Sequence, residues 1–141
     1  MKLQKTTDKN LEETADNKAV GKQEFLYGDL TYKINGILIE THKELGPYAR
    51  EKQFGDLVEQ KLKERDIACK REVRIGDSGN ILDFIIDEKV ILELKTKPFL
   101  INEHYNQVKR YLHQTNLKLG ILVNFRAKYI KPKRVLNLNN L

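Results

Sequence analysis

Beyond residue 28 the apolar positions fall into two kinds of spacing, one helical and one extended. Leu30, Ile34, Ile37, Leu38, Thr41 and Leu45 lie on a single stripe with the period of an α-helix. Asp29 can cap its start, and Gly46 followed by Pro47 is a stop signal. A second helix is predicted over about residues 48–66, with Phe54, Leu57, Val58 and Leu62 as its apolar face. The spacing then turns extended. Residues 69–75 alternate, with Cys69, Val73 and Ile75 on one side. The turn cluster Asp77-Ser78-Gly79-Asn80 follows. Residues 81–86 and 90–94 are apolar runs separated by Asp87-Glu88-Lys89, which reads as a hairpin with strands covered on both faces. A third helix is predicted over about 102–115, with Ile101, Tyr105, Val108 and Leu112 in line. Residues 119–125 form another apolar strand and 129–136 a last, basic one. The predicted order is ααβββαβ(β), an α/β (α+β) fold with a mixed β-sheet flanked by helices. The strand from residue 119 arrives through a helical crossover, so at least one parallel pair is expected.

Composition narrows the class. At 141 residues the chain has the length of one ordinary domain. Residues 1–24 are polar and without period, and are expected to form a disordered or loosely ordered arm; the domain is expected over 25–137, with a short tail at 138–141. No apolar run approaches the roughly 20 residues that span a bilayer. The start has no apolar stretch after its lysines, so no secretory signal is expected. The single Cys69 excludes an internal disulfide framework and a cysteine zinc site. These features point to the cytoplasm. The net charge is +6, and its location matters. Residues 126–141 hold five basic side chains (Arg126, Lys128, Lys131, Lys133 and Arg134) and no acid, while the rest is nearly neutral. Such a strip attracts polyanions through counterion release, or serves only as a solvated surface.

The hairpin carries the candidate chemistry. Centred on Glu88, it sets Ile86 against Val90 and Asp83 against Glu93. Directly opposed residues have Cβ atoms about 4.5–5.5 Å apart on one face. Lys95, two residues beyond Glu93, lies on that face too. Like charges so placed repel. A divalent cation removes the penalty, because carboxylate oxygens are its preferred ligands; Lys95 alone also offsets it. Glu51 precedes Phe54 by three residues and Val58 by seven, on the inward side of its helix, where unpaired carboxylates are rare. It equally suits the first turn, where an acid complements the helix dipole. Gln107 and Tyr111 are at i, i+4 on the flank of the third helix, which can pack beside the hairpin. His104, one turn before Gln107, reads as a surface histidine, and His42 and His113 carry no signal.

The ordered series Glu51, Asp83, Glu93-Leu94-Lys95 and Gln107-x-x-x-Tyr111 resembles the PD-(D/E)XK nuclease superfamily. The resemblance is closest to its small GxxExxY branch, whose first helix leads into E-x-H-x-E-L-G-P; this chain has Glu40-Thr41-His42-Lys43-Glu44-Leu45-Gly46-Pro47. The naming motif follows as Tyr48-Ala49-Arg50-Glu51-Lys52-Gln53-Phe54. Its Glu is kept, Tyr48 stands for the Gly, and Phe54 stands for the final Tyr. The first change bears on the loop backbone, since Gly tolerates positive φ and Tyr resists it; the second removes a hydroxyl. The resemblance covers about residues 26–137.

The resemblance implies a restriction-endonuclease-like αβββαβ core and metal-dependent hydrolysis of phosphodiester bonds. By that likeness Asp83 and Glu93 bind Mg²⁺ or Mn²⁺ with the carbonyl of Leu94, and Glu51 holds the ion through water or holds a second one. Lys95 orients or deprotonates the attacking water, and Gln107 positions Lys95 or the phosphate. Tyr111, Arg126, Lys128, Lys131, Lys133 and Arg134 are the expected contacts to nucleic acid, with DNA placed before RNA. No membrane partner is expected, and a homodimer is left open. Glu40 and Glu44 match the family but receive no chemical role. The competing reading is an inactive module of the same fold that binds nucleic acid or a protein. Retention of Asp83, Glu93, Lys95 and Gln107 favours the enzyme, because an inactive copy has no chemical reason to keep a repulsive carboxylate pair.

Overall fold

The computed structural model describes residues 26–140, so the predicted arm at 1–24 lies outside the described residues. The chain from Ile34 onward forms one compact unit. Helix α1 (Gly28–Leu45) ends where the sequence places its stop. Gly46 takes φ 75°, and its amide bonds the carbonyl of His42 at 2.7 Å. A side chain resists that left-handed backbone, and Pro47 cannot continue the helix. Helix α2 (Glu51–Glu64) begins three residues later than expected. The Arg50 amide donates to the Gln53 side chain at 2.9 Å, and this cap fixes the start there.

The strands are β1 (Cys69–Ile75), β2 (Asn80–Ile86), β3 (Val90–Lys95), β4 (Leu119–Asn124) and β5 (Lys133–Leu136). They lie side by side in chain order. β1–β2, β2–β3 and β4–β5 are antiparallel, and β3–β4 is parallel, as the crossover requires. In the β2–β3 turn Asp87 and Glu88 both take positive φ, 54° and 56°, which matches the twist of the two strands. The ladder then sets Ile86 against Val90 and Phe84 against Leu92, the expected register. β5 starts later than the sequence suggests. Pro132 immediately precedes it and has no amide to give to a ladder. A single 3₁₀ turn, Leu138–Asn140, closes the described chain.

Helix α3 (Asn102–Thr115) is the crossover between β3 and β4. Its Val108, Tyr111 and Leu112 join Ile75, Leu82, Ile91, Leu122 and Val135 in one buried cluster. Gly120 of β4 permits this approach: a Cβ there would stand 2.6 Å from Cγ1 of Val108. On α2, Phe54 is fully buried and stacks on Phe125 with ring centroids 4.2 Å apart. Leu57, expected on the same face, is only half-buried.

Gly120 yields a prediction about packing. Gly120→Ala forces α3 off the sheet, and overpacking of this kind costs about 1–3 kcal/mol. Urea unfolding should show a lower midpoint at an unchanged slope. An equal midpoint would mean that α3 is not held by this contact.

Candidate active site

Two carboxylates sit where the sheet opens. The register that pairs Arg71 with Phe84 and Val73 with Leu82 passes over Glu72 and Asp83. On the other side, the β2–β3 ladder ends at Phe84 and Leu92. Asp83 therefore has no ladder partner on either strand. Side chains replace the missing bonds. The Asp83 amide donates to Glu93 Oε2 at 2.7 Å, and the Leu94 amide donates to Asp83 Oδ2 at 2.8 Å. Leu82 and Ile85 belong to the same cluster beneath α3 although they are three apart, so the alternation of β2 is interrupted at Asp83. Glu72, opposite this point, has φ 56°, an unusual value for a glutamate in a strand.

Glu93 is 3% exposed. Burial, then the charge of Asp83, push its pKa up to about 8. Burial also raises that of Asp83, against the Leu94 amide, Lys95 and Arg71, which lower it. Neither carboxylate forms an ion pair among the described residues. Lys95, the side chain that the sequence offers as a counter-charge, turns elsewhere: its Nζ donates to Gln107 Oε1 at 2.8 Å. Its charge still lowers both carboxyl pKa values, at longer range.

Tyr111, one turn beyond Gln107 on α3, is 4% exposed. This corrects the expectation that Tyr111 touches nucleic acid. Its side chain belongs to the buried cluster beneath α3. Glu51 opens α2 and is exposed as a residue, so it is not the inward-facing acid that its spacing suggests. Its carboxylate nevertheless lies at the mouth of the site, where desolvation and then Asp83 raise its pKa while Lys95 and Lys97 lower it. Glu51, Gly55, Arg71, Glu72 and Asp83 line a cleft of about 230 Å³.

The basic strip divides. Arg126, Lys128 and Lys131 lie in the loop after β4; Lys133 and Arg134 are on the edge strand β5. That loop leaves the site directly, since the Phe125 amide bonds the Lys95 carbonyl at 2.8 Å. Glu40 and Glu44 are structural: Lys61 Nζ lies 3.5 Å from the first and 2.6 Å from the second. His104 Nδ1 accepts from the Ile101 amide at 3.0 Å and caps α3. Tyr48 has no positive φ, so its backbone does not need the glycine of the family motif. Arg71 was the residue that pattern reading passed over. Its guanidinium lies 5.6 Å over the Phe84 ring and holds Asp56 at 2.6 Å and Glu59 at 3.1 Å. A Cβ on Gly55 would collide with it. An arginine on the apolar side of an alternating strand, between Cys69 and Val73, was the available signal.

Residues 28–135 match the family model of the PD-(D/E)XK nuclease superfamily. The chain belongs to that superfamily. Searches of curated proteins and of solved structures each gave no match. PD-(D/E)XK proteins are generally phosphodiester hydrolases and typically use divalent cations such as Mg²⁺ or Mn²⁺. The donor set fits such an ion. Each carboxylate spends one oxygen on an amide and keeps the other. No three His, Cys, Asp or Glu side chains converge among the described residues. Mg²⁺ takes one or two carboxylates and fills its remaining positions with water and phosphate oxygen. No helix among the described residues is long and apolar enough to cross a membrane.

The carboxylate pair makes the metal-free fold pH-dependent. Glu93 binds its proton more tightly folded than unfolded, so its contribution is lost as pH rises from its ordinary range near 4.5 through about 8. With a chelator present, Tm should fall between about pH 5 and about pH 8. Glu93→Gln keeps an acceptor for the Asp83 amide and should flatten this fall. A variant as pH-sensitive as the parent would place the titration elsewhere.

Proposed function

We infer that this PD-(D/E)XK chain is an active metal-dependent nuclease, with DNA placed before RNA as its substrate. The observation that carries this reading is the Asp83–Glu93 pair, in which Glu93 is buried, Asp83 is half-buried, and neither carboxylate is held in an ion pair among the described residues. A fold gains no stability from such a pair. In this reading the two carboxylates hold Mg²⁺ or Mn²⁺ through the oxygens that the amides leave free. The Leu94 carbonyl adds a ligand, and Glu51 reaches the ion through water. A cation bound there makes a water nucleophilic near neutral pH and neutralises charge on the phosphate.

The protein's own groups do the rest. Lys95 orients the attacking water and stabilises negative charge growing on the phosphate oxygens. Gln107 holds the ammonium in place. Water attacks phosphorus and gives up a proton to solvent, the bond to the leaving oxygen breaks, and that oxygen takes up a proton from solvent. Placement in the GxxExxY branch is part of this proposal. The segment from Glu40 to Pro47 and the retained Glu51 support it. The buried Phe54, stacked on Phe125, shows a packing use for the last position of the motif.

Lys95→Ala tests the chemistry. Cleavage of linear or plasmid DNA with Mg²⁺ or Mn²⁺ should drop by about 10²–10⁴-fold, the usual size for a positioned proton-transfer group. Calorimetry should show Mn²⁺ binding that survives Lys95→Ala and vanishes in Asp83→Asn. Wild-type protein that binds Mn²⁺ yet cuts neither DNA nor single-stranded RNA would leave the inactive module as the better reading. Cutting that survives both Lys95→Ala and Glu93→Ala would put the chemistry at another site.

A further inference from the structure

We propose that Tyr48 and Tyr129, with Arg126 and Lys128, form a stacking platform for unpaired bases next to the cleavage site, so that the chain prefers single-stranded DNA over duplex. The proposal rests on the nuclease reading above and goes beyond it in naming the form of the substrate.

Two large aromatic side chains stand out in water here: Tyr48 is 82% exposed and Tyr129 is 73% exposed. Each has a cation on one ring face. The Arg126 guanidinium lies 5.6 Å from the centre of the Tyr48 ring, and Lys128 Nζ lies 5.4 Å from that of Tyr129. The exposure leaves the other faces open. A flat ring backed by a cation is the arrangement on which a nucleobase stacks.

The charge of the patch selects a polyanion. Arg65, Arg71 and Arg110 each hold a carboxylate. Arg126 and Lys128 hold none among the described residues, and Arg126 Nε is buried without any hydrogen-bond partner. No acid occurs in the sequence from residue 126 to the end. A protein partner would need an acidic surface and would leave the open ring faces without use. A strand with splayed bases uses both features, phosphates on the cations and bases on the rings.

The platform is tied to the site on both sides. Tyr48 precedes Glu51 by three residues. Arg126 follows Phe125, whose amide is bonded to the carbonyl of Lys95. The loop between them is pinned, because His42 Nε2 donates to the Ala127 carbonyl at 2.8 Å and its ring stacks with Phe125. The proposed path takes a strand from the tyrosines toward Lys95. Duplex DNA keeps its bases stacked on one another and gains nothing from the rings.

The test is anisotropy of a short labelled oligodeoxythymidylate and of a duplex of equal length, with a chelator present so that nothing is cut. Wild-type protein should bind the single strand more tightly. Tyr48→Leu and Tyr129→Leu should each weaken it by about 5- to 150-fold, the effect of losing one stacked base. The slope of affinity against salt should not move, because no phosphate contact is lost. Tyr48→Phe and Tyr129→Phe should restore binding, which separates stacking from any role of the hydroxyls. Leucine variants that bind like wild type would overturn the platform, as would equal wild-type affinity for duplex. A wild type that binds no oligonucleotide would also overturn it and assign the patch to a protein partner. Binding through the tyrosines without cleavage by the metal-loaded protein would keep the platform and sink the nuclease. Cleavage of duplex with no tyrosine effect would do the reverse.

Discussion

Two hydrogen bonds cross the fork between β2 and β3, and the site exists because of them. In an unbroken ladder the amides of Asp83 and Leu94 would meet carbonyl groups. Here they meet carboxylates of the opposite strand. A buried amide without a partner costs about 1–3 kcal/mol, so neither side chain can leave without loss. The carboxylates are thereby held in place by the same need that holds any sheet together. Each is fixed through one oxygen, and the other remains for chemistry. Structural and chemical roles fall on the same four atoms.

That arrangement opposes stability. Burial raises both carboxyl pKa values, and the charge of Asp83 raises that of Glu93 further. Lys95 is close enough to help, but its ammonium is committed to Gln107. The commitment depends on packing far from any charge. Gly120 lets α3 settle on β4 through Val108, and only at that height does Gln107 meet Lys95. Protein sites that store repulsion in this way commonly trade stability for function.

Much of this was legible in the sequence, for physical reasons that can be named. The hairpin register followed from its turn: two adjacent polar residues at 87 and 88 fix the pairing, and Asp83 must then face Glu93. The parallel pair followed from a helix between two apolar runs. What pattern reading could not supply was the opening of the ladder. Periodicity assumes that alternation continues, whereas at Asp83 side chains take over backbone bonds and the faces of β2 exchange. Tyr111 was misplaced because an amphipathic stripe does not say how deep its edge is buried. Spacing left Glu51 open between an inward-facing acid and a first-turn acid, because a first-turn residue can point along the helix end instead of inward. The five basic residues read as one strip, although Pro132 divides them between a loop and an edge strand. Residues 1–24 lie outside the described chain, and their expected character stays with the sequence.

Helix α2 joins these parts of the site. Within nine residues it serves three neighbours. Glu51 reaches the mouth of the cleft. Phe54 enters the core against Phe125, the residue whose amide holds the Lys95 carbonyl. Asp56 and Glu59 clamp Arg71 over Phe84, in a niche that exists because residue 55 is glycine. Arg71 lines the same cleft as Asp83, and its charge lowers the Asp83 pKa. The position of α2 is therefore set by aromatic packing and by an ion-pair cluster at once. Any movement of the helix changes both the acid at the cleft mouth and the charge behind Asp83. This coupling explains why a helix with one acid facing the site carries two others that never reach it.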